Sequence, residues 1–171
     1  MLRVSLVGHS QTPKSLQVSG AEIRIFRAPG GRADSFFEDS RMNNVLGWKH
    51  DLCLLWIGSN DIADEIEPNH LAETIKDIVQ EIEDQCEAEV CVCLVEPRLY
   101  DDDGPISRED YKKVQNAVNK KLKRELNNQN IHFNTSTFVE ELASDGVHWT
   151  SEGRERVENK IITVIESHLS Q

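Results

Sequence analysis

Residues 52–61 read Leu-Cys-Leu-Leu-Trp-Ile-Gly-Ser-Asn-Asp. The first six are apolar without a break. A strand with one face in water alternates apolar and polar residues. A strand covered on both faces does not, and it belongs in the middle of a parallel sheet. Outward from this centre, residues 2–7 form a short β-rich run that ends at Gly8. Residues 21–26 form another, with Ile23 and Ile25 on one side and Arg24 on the other. Residues 90–95 are similar and stop at Glu96-Pro97, and residues 131–134 are a weaker fifth run.

Between these runs the apolar period lengthens to that of a helix. Leu71, Ile75, Ile78, Val79 and Ile82 form one buried stripe, with Pro68 ahead of it where a first helical turn tolerates proline. Tyr111, Val114, Val118 and Leu122 form a second, with Ser107 available as N-cap. Val157, Ile161, Val164 and Ile165 form the last, after Thr150 and Ser151 as cap candidates. Strands alternating with helices predict an α/β three-layer sandwich, with a five-stranded parallel sheet carrying helices on both faces. Such sheets place their sites at the carboxyl ends of the strands. Here those are the segments after Val7, Phe26, Ile57 and Val95.

The 171 residues fit a single domain spanning 1–171, with no repeat or linker. A net charge of −11 argues against nucleic acid or an anionic membrane surface as a direct partner. The cluster of Lys112, Lys113, Lys120, Lys121, Lys123 and Arg124 is the exception, and it reads as the solvated face of a helix. The four cysteines, Cys53, Cys86, Cys91 and Cys93, show neither zinc spacing nor a disulfide framework. They are expected as buried thiols, with Cys91 and Cys93 on opposite faces of one strand. No signal-peptide pattern or membrane-length apolar run occurs, so a cytoplasmic protein is expected. Asp101 to Gly104 reads as a turn rather than a metal loop.

The strand ends carry the chemistry. Gly8-His9-Ser10 follows the first strand, Pro29-Gly30-Gly31-Arg32 the second, and Gly58-Ser59-Asn60-Asp61 the third. Asp145-Gly146-Val147-His148 precedes the last helix. A serine at a strand-to-helix turn can expose its hydroxyl, but it needs a base to take its proton. His148 can be that base, with Asp145 to fix its tautomer. The Gly31 N–H, the Asn60 side-chain amide and the Ser10 N–H can serve a developing oxyanion. Each piece alone also has a structural use: helix cap for Ser10, turns for Gly30-Gly31 and Asp145-Gly146, and loop start for Asn60-Asp61. Their order and their placement at one sheet edge favour the chemical use.

In this order and spacing the chain resembles the SGNH (GDSL-type) hydrolases. Four blocks in that family carry Ser, Gly, Asn and His on a flavodoxin-like sheet. The resemblance assigns Ser10 as nucleophile, with Asp145 and His148 as its activating pair. It places Gly31 (or Gly30, one register away) and Asn60 as oxyanion donors, and matches Gly153 to a glycine on the final helix. It implies hydrolysis of short-chain acyl or acetyl esters, or of a lipid ester, through an acyl-serine intermediate, with no metal or organic cofactor. Similar small domains occur in lipid-active acetylhydrolases, in sugar acetylesterases and in the first-open-reading-frame proteins of some non-LTR retrotransposons. One position departs from the pattern: His9 stands where Gly-Asp-Ser has aspartate. That departure motivates an alternative, a catalytically weak domain of the same fold used for binding or assembly. A flavin or nucleotide binder is a distant third, because neither Gly-x-Gly-x-x-Gly nor a P-loop is present. Arg32 and Arg98, after strand ends, are candidates to meet an anionic group, and Trp149 a candidate wall of the acyl pocket.

Overall fold

The computed structural model describes residues 1–38, 40–100, 103–126, 130–131 and 142–170. Its strands are β1 (Leu2–Gly8), β2 (Ala21–Arg27), β3 (Leu52–Trp56), β4 (Glu89–Cys93) and β5 (Asn130–Ile131). They form one parallel sheet in the order β2-β1-β3-β4-β5. All five residues of β3 are buried, as its unbroken apolar run requires. The register sets Val4 beside Leu52 and Leu6 beside Leu54, so apolar residues of neighbouring strands stack on one face. Of the fifth run only Ile131 is described, and it lies in β5; residues 132–134, and with them His132, lie outside the described residues, as do Asp101 and Asp102 of the acidic turn.

Among the described residues five helices cover the sheet: α1 (Arg41–Leu46), α2 (Ser59–Ala63), α3 (Pro68–Cys86), α4 (Arg108–Glu125) and α5 (Ser151–Leu169). The three long ones carry the stripes read from the sequence. Ser107 caps α4 by accepting from the Asp110 N–H, and Thr150 caps α5 by accepting from the Gly153 N–H. Glu67 caps α3 from the position before Pro68. Helices α1 and α2, of 6 and 5 residues, are too short to show a period and were not expected. Lys112, Lys113, Lys120 and Lys123 of α4 are exposed, while the half-buried Lys121 pairs with Glu73 of α3.

Two apolar clusters sandwich the sheet. On one face Phe36, Leu55, Ile75, Ile78, Tyr111 and Val118 pack with α1, α3 and α4. On the other Leu6, Leu54, Trp56, Trp149, Val157 and Ile161 pack under α5. Cys91 and Cys93 both belong to this second cluster. The expectation of opposite faces is corrected: strand residues two apart share a face. All four cysteines are buried thiols outside any disulfide, and burial pushes the Cys53 thiol up to about 12. No helix among the described residues is long and apolar enough to cross a membrane.

The strand order has a functional consequence. From β1 the chain first moves outward to β2, then back across β1 to β3. The connections after β1 and β3 therefore part to opposite sides and leave a crevice at their carboxyl ends. Ser10 follows β1 and Asn60 follows β3.

Candidate active site

The third block is the most firmly built. Gly58, at φ 115°, turns the chain from β3 into α2. Asn60 then directs its amide across to the β2–α1 loop, where Nδ2 donates to the Gly31 carbonyl at 2.9 Å. Its neighbour Asp61 is 1 % exposed and accepts from the backbone N–H groups of Ala33 (3.0 Å) and Asp34 (3.2 Å). Burial pushes the Asp61 carboxyl above its ordinary value, while these donors pull it down. The pair has divided roles: Asn60 faces Gly31, and Asp61 fastens the loop that carries it. Loop residue Arg32 is ion-paired with Asp64, so it does not await an anion.

Gly31 needs to be small because a Cβ there would come within 2.8 Å of the Ala28 carbonyl. Its own N–H donates to that carbonyl, also at 2.8 Å. As an oxyanion donor Gly31 would therefore have to share this turn bond or release it, whereas Asn60 Nδ2 keeps a second hydrogen beyond the one given to Gly31.

The Asp145–His148 loop is organised around one carboxylate. Asp145 Oδ1 accepts from the Val147 and His148 N–H groups, both at 2.9 Å, and Oδ2 lies 2.6 Å from His148 Nδ1. These bonds, led by the His148 N–H and ring, hold the Asp145 carboxyl at about 2. An ionised carboxylate only accepts, so Nδ1 carries a proton, and in the neutral ring the lone pair is then on Nε2. Gly146 lies at φ +65° with its carbonyl accepting from the Leu99 N–H at 2.7 Å, and a Cβ there would run into the Leu99 backbone. Both side chains of the pair are about half exposed, at 54 % for His148 and 51 % for Asp145.

Ser10 lies between these two regions. Its carbonyl accepts from Arg27 Nη2 at 2.8 Å, and Arg27 Nε donates to the Thr12 carbonyl. The following residue, Gln11, donates its side-chain amide to the Val147 carbonyl, which joins the Ser10 segment to the His148 loop. The preceding residue, His9, is fully buried, with Nε2 3.3 Å from Ser59 Oγ, which joins the same segment to the Asn60 turn. The five sequence-predicted positions thus gather at one edge of the sheet. Trp149 is not a pocket wall: it is 3 % exposed and packs in the cluster under α5. Gly153 is buried in the first turn of α5.

Of the layer beneath the site, sequence reasoning singled out Arg98 as a candidate to meet an anion, but missed Glu96 and the partners that Arg98 holds. Glu96 is fully buried, accepts from Trp56 Nε1 at 2.9 Å and lies 3.2 Å from His9 Nε2. Arg98, 3.8 Å from Glu96, donates through Nη2 to Ser59 Oγ and Asn60 Oδ1 and through Nη1 to the Tyr100 hydroxyl. Burial would push Glu96 up, but His9 and Arg98 beside it hold it well below the usual carboxylate range. The available signal was Glu96-Pro97-Arg98 at the end of a buried strand, two charges where the chain leaves the core.

A family model for GDSL-like lipase/acylhydrolase matches residues 13–161, and the chain belongs to that family. Gly31, Asn60, Asp145 and His148 fall within the matched span; Ser10 precedes it. No curated protein sequence matches the chain. Among solved structures, a putative acylhydrolase from Bacteroides fragilis is 22 % identical with a TM-score of 0.77, over 98 % of this chain and 88 % of the other. A lipolytic protein of the G-D-S-L family from Veillonella parvula is 16 % identical with a TM-score of 0.75, over 96 % and 98 %. An acetylxylan esterase from Geobacillus stearothermophilus is 14 % identical with a TM-score of 0.71, over 95 % and 93 %. Family and fold together make this an ester-hydrolase domain with the α/β architecture of its neighbours.

Proposed function

We propose that this domain is a serine esterase for short-chain acyl esters. What carries the assignment is the pair of contacts flanking Ser10, Gln11 to Val147 and His9 to Ser59. They join the segment of this serine to the loop of an Asp-oriented histidine and to the turn that carries a side-chain amide donor. Ser10 Oγ attacks the ester carbonyl as His148 Nε2 takes its proton, and Asp145 stabilises the imidazolium. The Ser10 N–H and the second Nδ2 hydrogen of Asn60 meet the oxyanion, with Gly31 joining if its turn bond yields. His148 returns the proton to the leaving alkoxide; a water then attacks the acyl carbonyl as His148 takes its proton, and His148 passes that proton to Ser10 Oγ as the acid departs. Every proton in this cycle is accounted for without a metal or organic cofactor.

A cavity of about 240 Å³ lies at the carboxyl ends of β1 and β2, with Val7, Phe26 and Phe36 beside Arg27, Arg41 and Asn44 in its lining. None of the five site residues is in that lining. The short acyl chain is therefore proposed from the family resemblance. The decisive experiment is turnover of a chromogenic acetyl or butyryl ester by wild type and Ser10→Ala, with fluorophosphonate labelling alongside. Turnover and stoichiometric labelling, both lost in Ser10→Ala, are expected. Equal rates for the two proteins, or no labelling of a folded wild type, would favour the binding or assembly domain that His9 motivates.

A further inference from the structure

We infer that Arg98 is a positioning residue that orients and polarises the Asn60 amide for oxyanion stabilisation. This role rests on the esterase assignment, because it concerns the same oxyanion. A carboxamide is nearly symmetric in shape, and rotation by half a turn exchanges its oxygen for its nitrogen. In the wrong orientation Asn60 would present an acceptor to a developing negative charge. Here both ends are specified. Arg98 Nη2, which can only donate, lies 2.8 Å from Oδ1, and the Gly31 carbonyl, which can only accept, lies 2.9 Å from Nδ2. One Nδ2 hydrogen is thereby left over, in the amide plane and away from Gly31.

The guanidinium does more than choose the flip. A positive charge at Oδ1 draws electron density from the amide nitrogen and makes the remaining N–H a stronger donor. The effect is large only where water is excluded. Arg98 is 5 % exposed and Glu96 is fully buried. Such a pair costs desolvation that a well-packed apolar pair would avoid. Arg98 also joins the Ser59–Asn60 turn after β3 to Tyr100 of its own segment. Glu96 is held in turn by Trp56 and His9. The histidine that departs from Gly-Asp-Ser therefore belongs to the base on which Arg98 stands, and through it the nucleophile turn is coupled to the oxyanion donor.

The test is a double-mutant cycle on ester turnover by the full chain, with Arg98→Lys made in wild type and in Asn60→Ala. Lysine keeps the positive charge but not the planar fork. In wild type, Arg98→Lys should lower kcat about tenfold and leave KM within about twofold. In Asn60→Ala it should cost less than about twofold, because the group it positions is gone. An equal fall in both backgrounds, or a change confined to KM, overturns the inference and leaves the esterase assignment standing. Absence of Ser10-dependent turnover in wild type overturns both. If Arg98→Lys melts early, Glu96→Gln with Arg98→Met removes the buried pair together, and the same non-additivity with Asn60→Ala is expected.

Discussion

Asn60 and His148 meet at one edge of the sheet, yet the molecule holds them in opposite ways. Asn60 is gripped at both ends of its amide, above a layer in which Ser59, Glu96 and Arg98 are buried. His148 is about half exposed, and its ring is held by one carboxylate of its own loop. The difference suits the roles proposed for the two groups. A fixed dipole that stabilises charge is worth most when it cannot reorient and water is absent. A proton carrier must exchange protons with substrate, product and water, so it needs orientation without enclosure. The buried side therefore couples activity to the core, while the exposed side couples it only to a loop.

The largest expected effect isolates the exposed side. His148→Ala should reduce kcat/KM by roughly 10⁴-fold, as expected for loss of a triad base. Its melting temperature should stay close to wild type, since a half-exposed ring supports little of the core. Esterase assays with thermal melts check both halves. A marked fall in melting temperature would show that the two sides are not mechanically separate.

Asn60→Ala comes next, with a loss on the order of 100-fold in kcat, about 3 kcal/mol of transition-state stabilisation. It should also lower stability, because the Arg98 donors facing Oδ1 are left without that acceptor. Steady-state kinetics beside denaturant unfolding would reveal the paired loss.

Gly146→Ala probes the frame of the exposed side. The residue's φ of +65° and its approach to the Leu99 backbone disfavour any side chain. A strain of about 1–3 kcal/mol should displace the Asp145–His148 loop and cost roughly tenfold in kcat/KM. Ser10 labelling by fluorophosphonate should slow in parallel, and an unchanged labelling rate would mean the loop is not braced by Leu99.

The smallest effect is a pH dependence on the buried side. The folded-state value of Glu96 is lowered from an ordinary 4.5. Its ionised form therefore contributes stability above about pH 4.5, and this is lost as pH falls through the folded value. Glu96→Gln should be less stable than wild type at pH 7, with the gap narrowing as the pH is taken toward 3. Melting curves across that range check the sign; a gap that widens in acid would contradict it.

Much of this was legible in the residues themselves. The unbroken apolar run through β3 announced a doubly covered strand, and the period of 3.6 announced α3, α4 and α5 with two of their caps. The blocks around Asn60 and Asp145–His148 were recognisable from spacing because each is local. Asp145 bonds to its own loop two and three residues on. What escaped were elements and partners without a local signature. Helices α1 and α2 have too few turns to show a period. The Gly31 N–H looked available until the turn to Ala28 claimed it.

The sequence by itself determined the α/β class, the long helices and the short-range geometry of the His148 loop. Those depend on residue types within a few positions of one another. Only the tertiary structure decided that His9 faces Glu96, that Arg98 reaches Asn60 from 38 residues away, and that Gln11 meets Val147 across 136. The strand order β2-β1-β3 brings those segments to one crevice. Contacts between residues far apart in the chain exist only once the sheet has assembled, and no local period or spacing encodes them.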